Sequence, residues 1–359
     1  MGSTDRRTGA AVGDLFQRMP KAELHLHLDG SLRPATALEL ARQRGLNEGM
    51  DLAAMAARLR APAKCRDQAE LLAAFDLPIA IMQDAEALYR IAFEMVEDVA
   101  SDGTRYAEIK WGPLLHVMGG LELADGIAAV AAGTRDAAAA TGVVARLVAV
   151  ALRSHPPDAN AVMARTAAEF VDQGLTGFDF AGQEAAYPDP LPHVRAFDIA
   201  REAGLGITIH GGEWGGAAQV RRTLEAVNPA RIAHGATAAE DPGLMAELVA
   251  RKVTLDICPT SNVQADDFDT LADVPLPALL AAGVPVTLNT DDRTVSDLTL
   301  PREYTNAHEV IGISVADLWR MNMHALRVAF LHHDESERAR LIGEFEAFAA
   351  SEELISQSD

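Results

Sequence analysis

The chain is poor in cysteine: Cys65 and Cys258 are the only two in 359 residues. That excludes a disulfide framework and any zinc site built from cysteines, and both thiols are expected to be reduced and buried. Basic residues are also scarce, 31 against 52 acids, for a formal net charge of -21. An acidic surface repels phosphate backbones and anionic bilayers, so neither nucleic acid nor membrane is expected as a partner. No uninterrupted apolar stretch reaches the roughly 18 residues that a membrane helix needs. The segment Met1 to Pro20 carries charge and no continuous apolar core, so it does not read as a secretory signal. These absences point to a soluble, cytoplasmic protein. There is no internal repeat, and the one compositional bias, Ala128–Ala140, reads as a helix.

What the chain does have is apolar residue, 49% of it, enough for a substantial core. Strand-like runs fall at Ala22–Leu28, Arg105–Lys110, Val143–Val150, Thr176–Phe180, Gly206–His210, Arg231–His234, Val253–Ile257 and Pro285–Asn289. Between them lie helical patterns such as Ala85–Val99, Val162–Val171, Val194–Ala203 and Leu244–Val249. Gly174, Gly204 and Gly283 follow helical patterns and precede strands, where a helix-ending glycine belongs. Strands alternating with helices predict a parallel sheet. Roughly 75 residues separate the first strand from the second, against about 30 in an ordinary βα unit. That excess, with patterns at Pro34–Arg44 and Glu70–Phe75, predicts a helical insertion over one end of the sheet. Further helices are expected at Val315–Phe330 and Glu335–Ala350.

Four fragments carry the chemistry: His25-Leu26-His27, His210-Gly211-Gly212-Glu213, His234 and Asp291-Asp292. Each ends or just follows an apolar strand. In a strand, residues two apart share a face, so His25 and His27 point one way and Leu24, Leu26 and Leu28 the other. Each fragment is weak taken singly, because a strand-end histidine is commonly structural and adjacent acids can cap a helix. All four at strand ends is a far rarer coincidence. To meet at one ion they need strand ends arranged in a ring, which favours a closed (β/α)₈ TIM barrel of one domain over residues 1–359. Three imidazoles and a carboxylate, assigned to His25, His27, His210 and Asp291, can hold one Zn²⁺ and leave a position for water. Glu213 is then free for proton transfer, and His234 can orient or deprotonate the water. The other histidines, including His116, His193, His332 and His333, are expected to be surface or packing residues.

These fragments resemble the adenosine deaminase family of metal-dependent hydrolases, in the same order over most of the chain. Pro20 to Gly30 is similar to the family's first-strand signature, and Asp179-Phe180-Ala181-Gly182 to its substrate-contacting glycine turn. Thr208 to Glu213 resembles the strand with the third histidine and the catalytic glutamate. Cys258-Pro259-Thr260-Ser261-Asn262 is similar to a segment usual in bacterial members, and Leu288 to Asp292 to the last-strand signature. The resemblance implies hydrolytic deamination of a 6-aminopurine nucleoside, most simply adenosine or 2′-deoxyadenosine to inosine-type product and ammonia. Hydroxide would attack C6, Glu213 would protonate N1, and His234 would assist the water. Asp292 would face N7, the Gly182 N–H would face N3, and Asp29 would meet the ribose 5′ hydroxyl. Phe75 falls where the family has a pocket-gating helix. Asp29 favours a nucleoside over adenine, since related adenine deaminases tend to carry Glu there. A modified adenosine such as aminodeoxyfutalosine stays open, as does a silent purine-binding member, which intact Glu213 disfavours. Ala233, Gly211 and Arg293 depart from the family's usual residues without removing a ligand. Arg293, near the expected pocket mouth, could meet an anionic group on the 5′ side or be a solvated rim residue. Other metal hydrolases bridge two ions by a modified lysine, and Lys110 is the one mid-chain candidate. The alternative zinc deaminase design, with Pro-Cys-x-x-Cys, is excluded because no second cysteine follows Cys258.

Overall fold

The computed structural model describes residues 9–46, 49–331 and 334–354. Eight strands occupy β1 (Lys21–His27), β2 (Thr104–Trp111), β3 (Val144–Leu152), β4 (Leu175–Ala181), β5 (Gly206–Gly211), β6 (Arg231–His234), β7 (Thr254–Ile257) and β8 (Val286–Leu288). They pair in sequence order, each neighbour parallel. The ring closes where the His27 N–H donates to the Asp291 carbonyl (2.7 Å) and the Asp291 N–H to the His25 carbonyl (3.0 Å). The fold is therefore the expected barrel, and the expected strands coincide with the observed ones to within a residue or two at each end.

The strands are buried on both faces, which is why they read as near-continuous apolar runs. Leu24, Leu26 and Leu28 sit in the apolar layer beneath the helices. The barrel interior below the histidines is ionic rather than apolar. The buried Arg231 guanidinium pairs with Glu108 and, at 3.0 Å, with Asp256, and Tyr106 donates to Glu108 at 2.8 Å. Buried charge is tolerated there because every member has a partner.

Between β1 and β2 the chain forms helices at Pro34–Gln43, Leu52–Leu59, Gln68–Leu72, Asp76–Ile81 and Ala85–Ser101. Aspartates start three of them: Asp51, Asp67 and Asp84 each accept an N–H three residues on, at 2.8 to 2.9 Å. The expected helix Glu70–Phe75 is split. Residues Ala73–Phe75 tighten to a 3₁₀ turn, and a new helix begins at Asp76, with Pro78 in its first turn where no N–H is needed. The expected Val162–Val171 helix instead spans Pro157–Ala168, because its polar first turn shows no apolar period. Gly174, Gly204 and Gly283 all adopt positive φ. Helices Val315–Val328 and Glu335–Ser351 follow β8. Among the described residues no helix is long and apolar enough to cross a membrane.

Candidate metal centre and active site

At the C-terminal rim of the barrel, β1 delivers His25 and His27, β5 delivers His210, β6 delivers His234, and the turn after β8 delivers Asp291. One ligand atom from each of His25, His210, His234 and Asp291 lies within 4.8 Å of the others. His27 belongs to the same cluster: its Nε2 is 3.2 Å from His210 Nε2 and 3.5 Å from Asp291 Oδ1. Five candidate ligands thus converge where four were expected. His234 Nε2 lies 3.7 Å from Asp291 Oδ2 and 3.8 Å from Glu213 Oε1. His234 (φ 63°) and Asp291 (φ 65°) both hold left-handed backbone, an unfavourable conformation for side chains of this size. Such strain is characteristic of functional rims.

The donor set suits a divalent ion. Burial, the largest influence on each, holds the imidazoles of His25, His27, His210 and His234 below their ordinary range, His234 at about 4. All four therefore present neutral nitrogen lone pairs. Burial works against ionising Asp291, but His25, His234 and His27 hold its carboxyl well below the usual carboxylate range. His25 Nε2 lies 3.1 Å from Asp291 Oδ1 and makes no aligned hydrogen bond, an orphaned buried atom that a metal would satisfy.

A surrounding layer fixes these groups. The His210 Nδ1 lies 3.0 Å from Asp179 Oδ2, and Lys110 Nζ donates to the same oxygen at 2.8 Å. The carboxylate sets the tautomer that leaves His210 Nε2 facing the cluster. Lys110 is buried in that ion pair and is not placed to bridge two ions. The Ser261 hydroxyl donates to Asp291 Oδ2 at 2.6 Å. The sequence reading weighed Lys110 only as a metal-bridging lysine and gave Asp179 and Ser261 no individual role, although each sits near or past the C-terminal end of a strand.

Above the cluster opens a cavity of about 260 Å³. His27, Asp29, Gly182, His210, Glu213, His234, Asp291 and Asp292 all line it, so the sequence-predicted residues other than His25 face one space. Leu71, Leu72, Phe75 and Ile79, from the segment between β1 and β2, form its apolar wall. Burial first, then the charges of Asp291, Asp267 and Glu184, push Glu213 well above the carboxylate range. Burial, with Asp291, Asp29 and Glu213, does the same to Asp292. Burial thus favours the protonated form of each. Burial would also raise Asp29, but His116 and His27 more than offset it and keep it ionised.

His116 is the residue the sequence reading undervalued. It is fully buried behind the cavity, with Nε2 3.6 Å from Asp29 Oδ2. Its place just past β2 was the available signal. His193 packs on Phe180 and His332 and His333 lie outside the described residues. Arg293 needs a correction. Its guanidinium pairs with Asp102 at 2.6 Å, both about nine-tenths buried, and it does not line the cavity. It is neither a contact for an anionic substrate nor a solvated rim residue. A larger hollow of about 410 Å³ lies at the opposite barrel end, lined by Arg146, Gln173 and Thr176 among others, and none of the sequence-predicted residues faces it.

A family model described as Adenosine deaminase matches residues 20–346. An adenosine deaminase of Mycobacteroides abscessus is 38% identical over 334 residues, covering 88% of this chain and 91% of its own. One of Enterococcus faecalis is 33% identical over 321 residues, covering 89% and 95%. Among solved structures, an adenine deaminase from Arthrobacter aurescens superposes with a TM-score of 0.82 at 28% identity, covering 92% of this chain and 99% of its own. An amidohydrolase from Burkholderia ambifaria with bound Zn gives 0.85 at 26%, covering 97% and 96%. Arabidopsis ADAL complexed with IMP gives 0.82 at 26%, covering 94% and 99%.

Proposed function

The chain belongs to the adenosine deaminase family, and from that premise we propose that it hydrolyses adenosine to inosine and ammonia with one bound zinc ion. It is a metal-dependent hydrolytic deaminase of 6-aminopurines; the finer choice of nucleoside and of zinc is the present reading. The observation that carries it is the carboxyl of Glu213 facing the cavity beside the buried imidazoles and Asp291, 3.8 Å from His234 Nε2, where burial favours its protonated form. A carboxyl whose surroundings favour the protonated form is what protonation of a purine nitrogen requires.

We assign His25, His27, His210 and Asp291 to the ion, and His234 to the attacking water. His234 alone of the four imidazoles touches Glu213, which suits a group that shares in proton transfer. When bound, a divalent ion supplies Lewis acidity, bringing the pKa of a water from 15.7 to about 7. The chain's own groups do the rest. Glu213 gives its proton to N1, which makes C6 electrophilic. The oxygen of water adds to C6; one of its protons passes by way of His234 or Glu213 to the amino group, and the other returns to Glu213 as the C6 carbonyl forms. The C6–N6 bond then breaks, ammonia leaves, and the 6-oxopurine remains. Asp292, whose protonated form burial favours, donates to N7; the Gly182 N–H faces N3; Asp29 accepts from the 5′ hydroxyl. The apolar wall from Leu71 to Ile79 excludes bulk water from the ring.

Conversion of adenosine by the purified protein, followed by its ultraviolet change with metal analysis on the same sample, tests this. Adenine and 5′-modified adenosines run in parallel distinguish the substrate. Glu213→Gln should lower turnover by about 10²- to 10⁴-fold with metal retained. A metal-replete protein that turns over no 6-aminopurine would end the proposal.

A further inference from the structure

One buried carboxylate outside the assigned set is bound entirely to the turn that carries Glu213. Glu184 is 2% exposed. Its Oε1 accepts the Gly212 N–H at 2.8 Å, and its Oε2 accepts those of Glu213 (3.1 Å) and Trp214 (3.0 Å). Three successive N–H groups form a concavity of the kind that binds anions, here filled by a side chain from the neighbouring turn. Gly212 (φ 86°) makes the concavity possible, since a Cβ there would meet Val220 Cγ2 at 2.4 Å and Thr237 Oγ1 at 2.8 Å. Thr237 in turn donates to the Gly212 carbonyl at 3.1 Å.

We propose that Glu184 is a positioning residue for deamination: it fixes where Glu213 stands relative to the purine edge. This rests on the reading of Glu213 as the proton donor. The turn bearing Gly182 does not depend on Glu184 in the same way. It is anchored separately, by Gln68 Nε2 to the Gly182 carbonyl (3.2 Å) and by the Arg153 N–H to the Ala181 carbonyl (2.9 Å). His210 is held by Asp179, and Arg153 Nη2 donates to the His210 carbonyl at 2.8 Å. Loss of the Glu184 contacts therefore frees the Glu213 turn while leaving the purine cradle and the ligand set in place. Misplacing a catalytic group by about an ångström costs on the order of 10²-fold in rate.

The test is a double-mutant cycle on the zinc-loaded enzyme with adenosine. Glu184→Gln keeps the shape but leaves one carbonyl oxygen for three donors. It should lower kcat roughly 10- to 100-fold, with KM within about threefold and metal content unchanged. In a Glu213→Gln background the same change should have little further effect on the residual rate, because it acts through Glu213. Should Glu184→Gln not fold, Glu184→Asp, which keeps the charge but is too short to reach all three N–H groups, goes through the same cycle. Equal losses in both backgrounds, or a rise in KM with kcat intact, overturn the inference. A Glu213→Gln enzyme with kcat within about tenfold of wild type refutes instead the reading of Glu213 as acid.

Discussion

Gly30 lies directly against Asp292, and replacing it by alanine makes a sharp test of the N7 contact. A Cβ at residue 30 would stand 1.7 Å from Asp292 Oδ1, 2.5 Å from Cγ and 2.9 Å from Cβ. Unbonded carbon–oxygen contacts need more than 3 Å, so the Asp292 carboxyl must retreat by roughly 1.5 Å. The backbone cannot absorb the change easily. Thr294 and Val295 both donate to the Gly30 carbonyl at 3.1 Å, and Ser296 to the Asp292 carbonyl at 2.8 Å. The side chain must therefore rotate away from the cavity. The hydrogen bond it would give the purine is worth about 1–3 kcal/mol, or on the order of 10- to 100-fold in kcat/KM. Overpacking should lower stability by about 1–3 kcal/mol, visible in thermal melts. The diagnostic assay is inhibition by a nucleoside and by its 7-deaza analogue. Wild-type protein should prefer the compound with N7; Gly30→Ala should bind the two alike. Unchanged turnover with the preference intact would refute both the steric argument and the role given to Asp292.

His27→Ala should lose metal, whereas His234→Ala should keep it and lose turnover; the reverse pattern in metal analysis exchanges the two assignments. Ser261→Ala removes the donor to Asp291 and should weaken metal binding about 10- to 100-fold in chelator competition; an unchanged affinity would show the contact to be idle. Asp179→Asn leaves Lys110 buried without its anion and should cost about 3–5 kcal/mol in denaturant unfolding, and a cost below about 1 kcal/mol would contradict that ion-pair argument. Lys21 provides a pH test far from the metal. Burial lowers its amine from 10.5 to about 7 in the folded chain, where Nζ donates to the Phe16 and Met19 carbonyls. Between pH 7 and 10.5 the unfolded chain carries the extra proton, so this group's contribution makes stability rise with pH across that window. Lys21→Met should remove that rise from the difference in melting profiles, and parallel wild-type and variant profiles would disprove it.

The barrel was legible because two-sided burial writes each strand as an apolar run, and because His25, His27, His210, His234 and Asp291 all close such runs. Alternation alone placed both β1 histidines on one side. The supporting layer was not legible. Asp179, Ser261, Glu184 and His116 act through partners 31, 30, 28 to 30 and 87 residues away, and no local period encodes those contacts. A rule that polar residues just past a strand face the rim would have raised Glu184, Ser261 and His116, but not Asp179, which lies within β4. Arg293 shows the opposite case: it follows two site residues directly, yet its guanidinium pairs with Asp102 and does not line the cavity. The split at Phe75 was missed because apolar spacing continues through it, while the break comes from the tightened turn before Asp76.

The seam that closes the cylinder runs through Asp291, whose backbone bonds to both His25 and His27. During synthesis, the imidazoles of residues 25, 27, 210 and 234 leave the ribosome first and wait without their carboxylate. Chemistry and architecture are completed by the same late residue, so a partly made chain carries neither a finished wall nor a working centre.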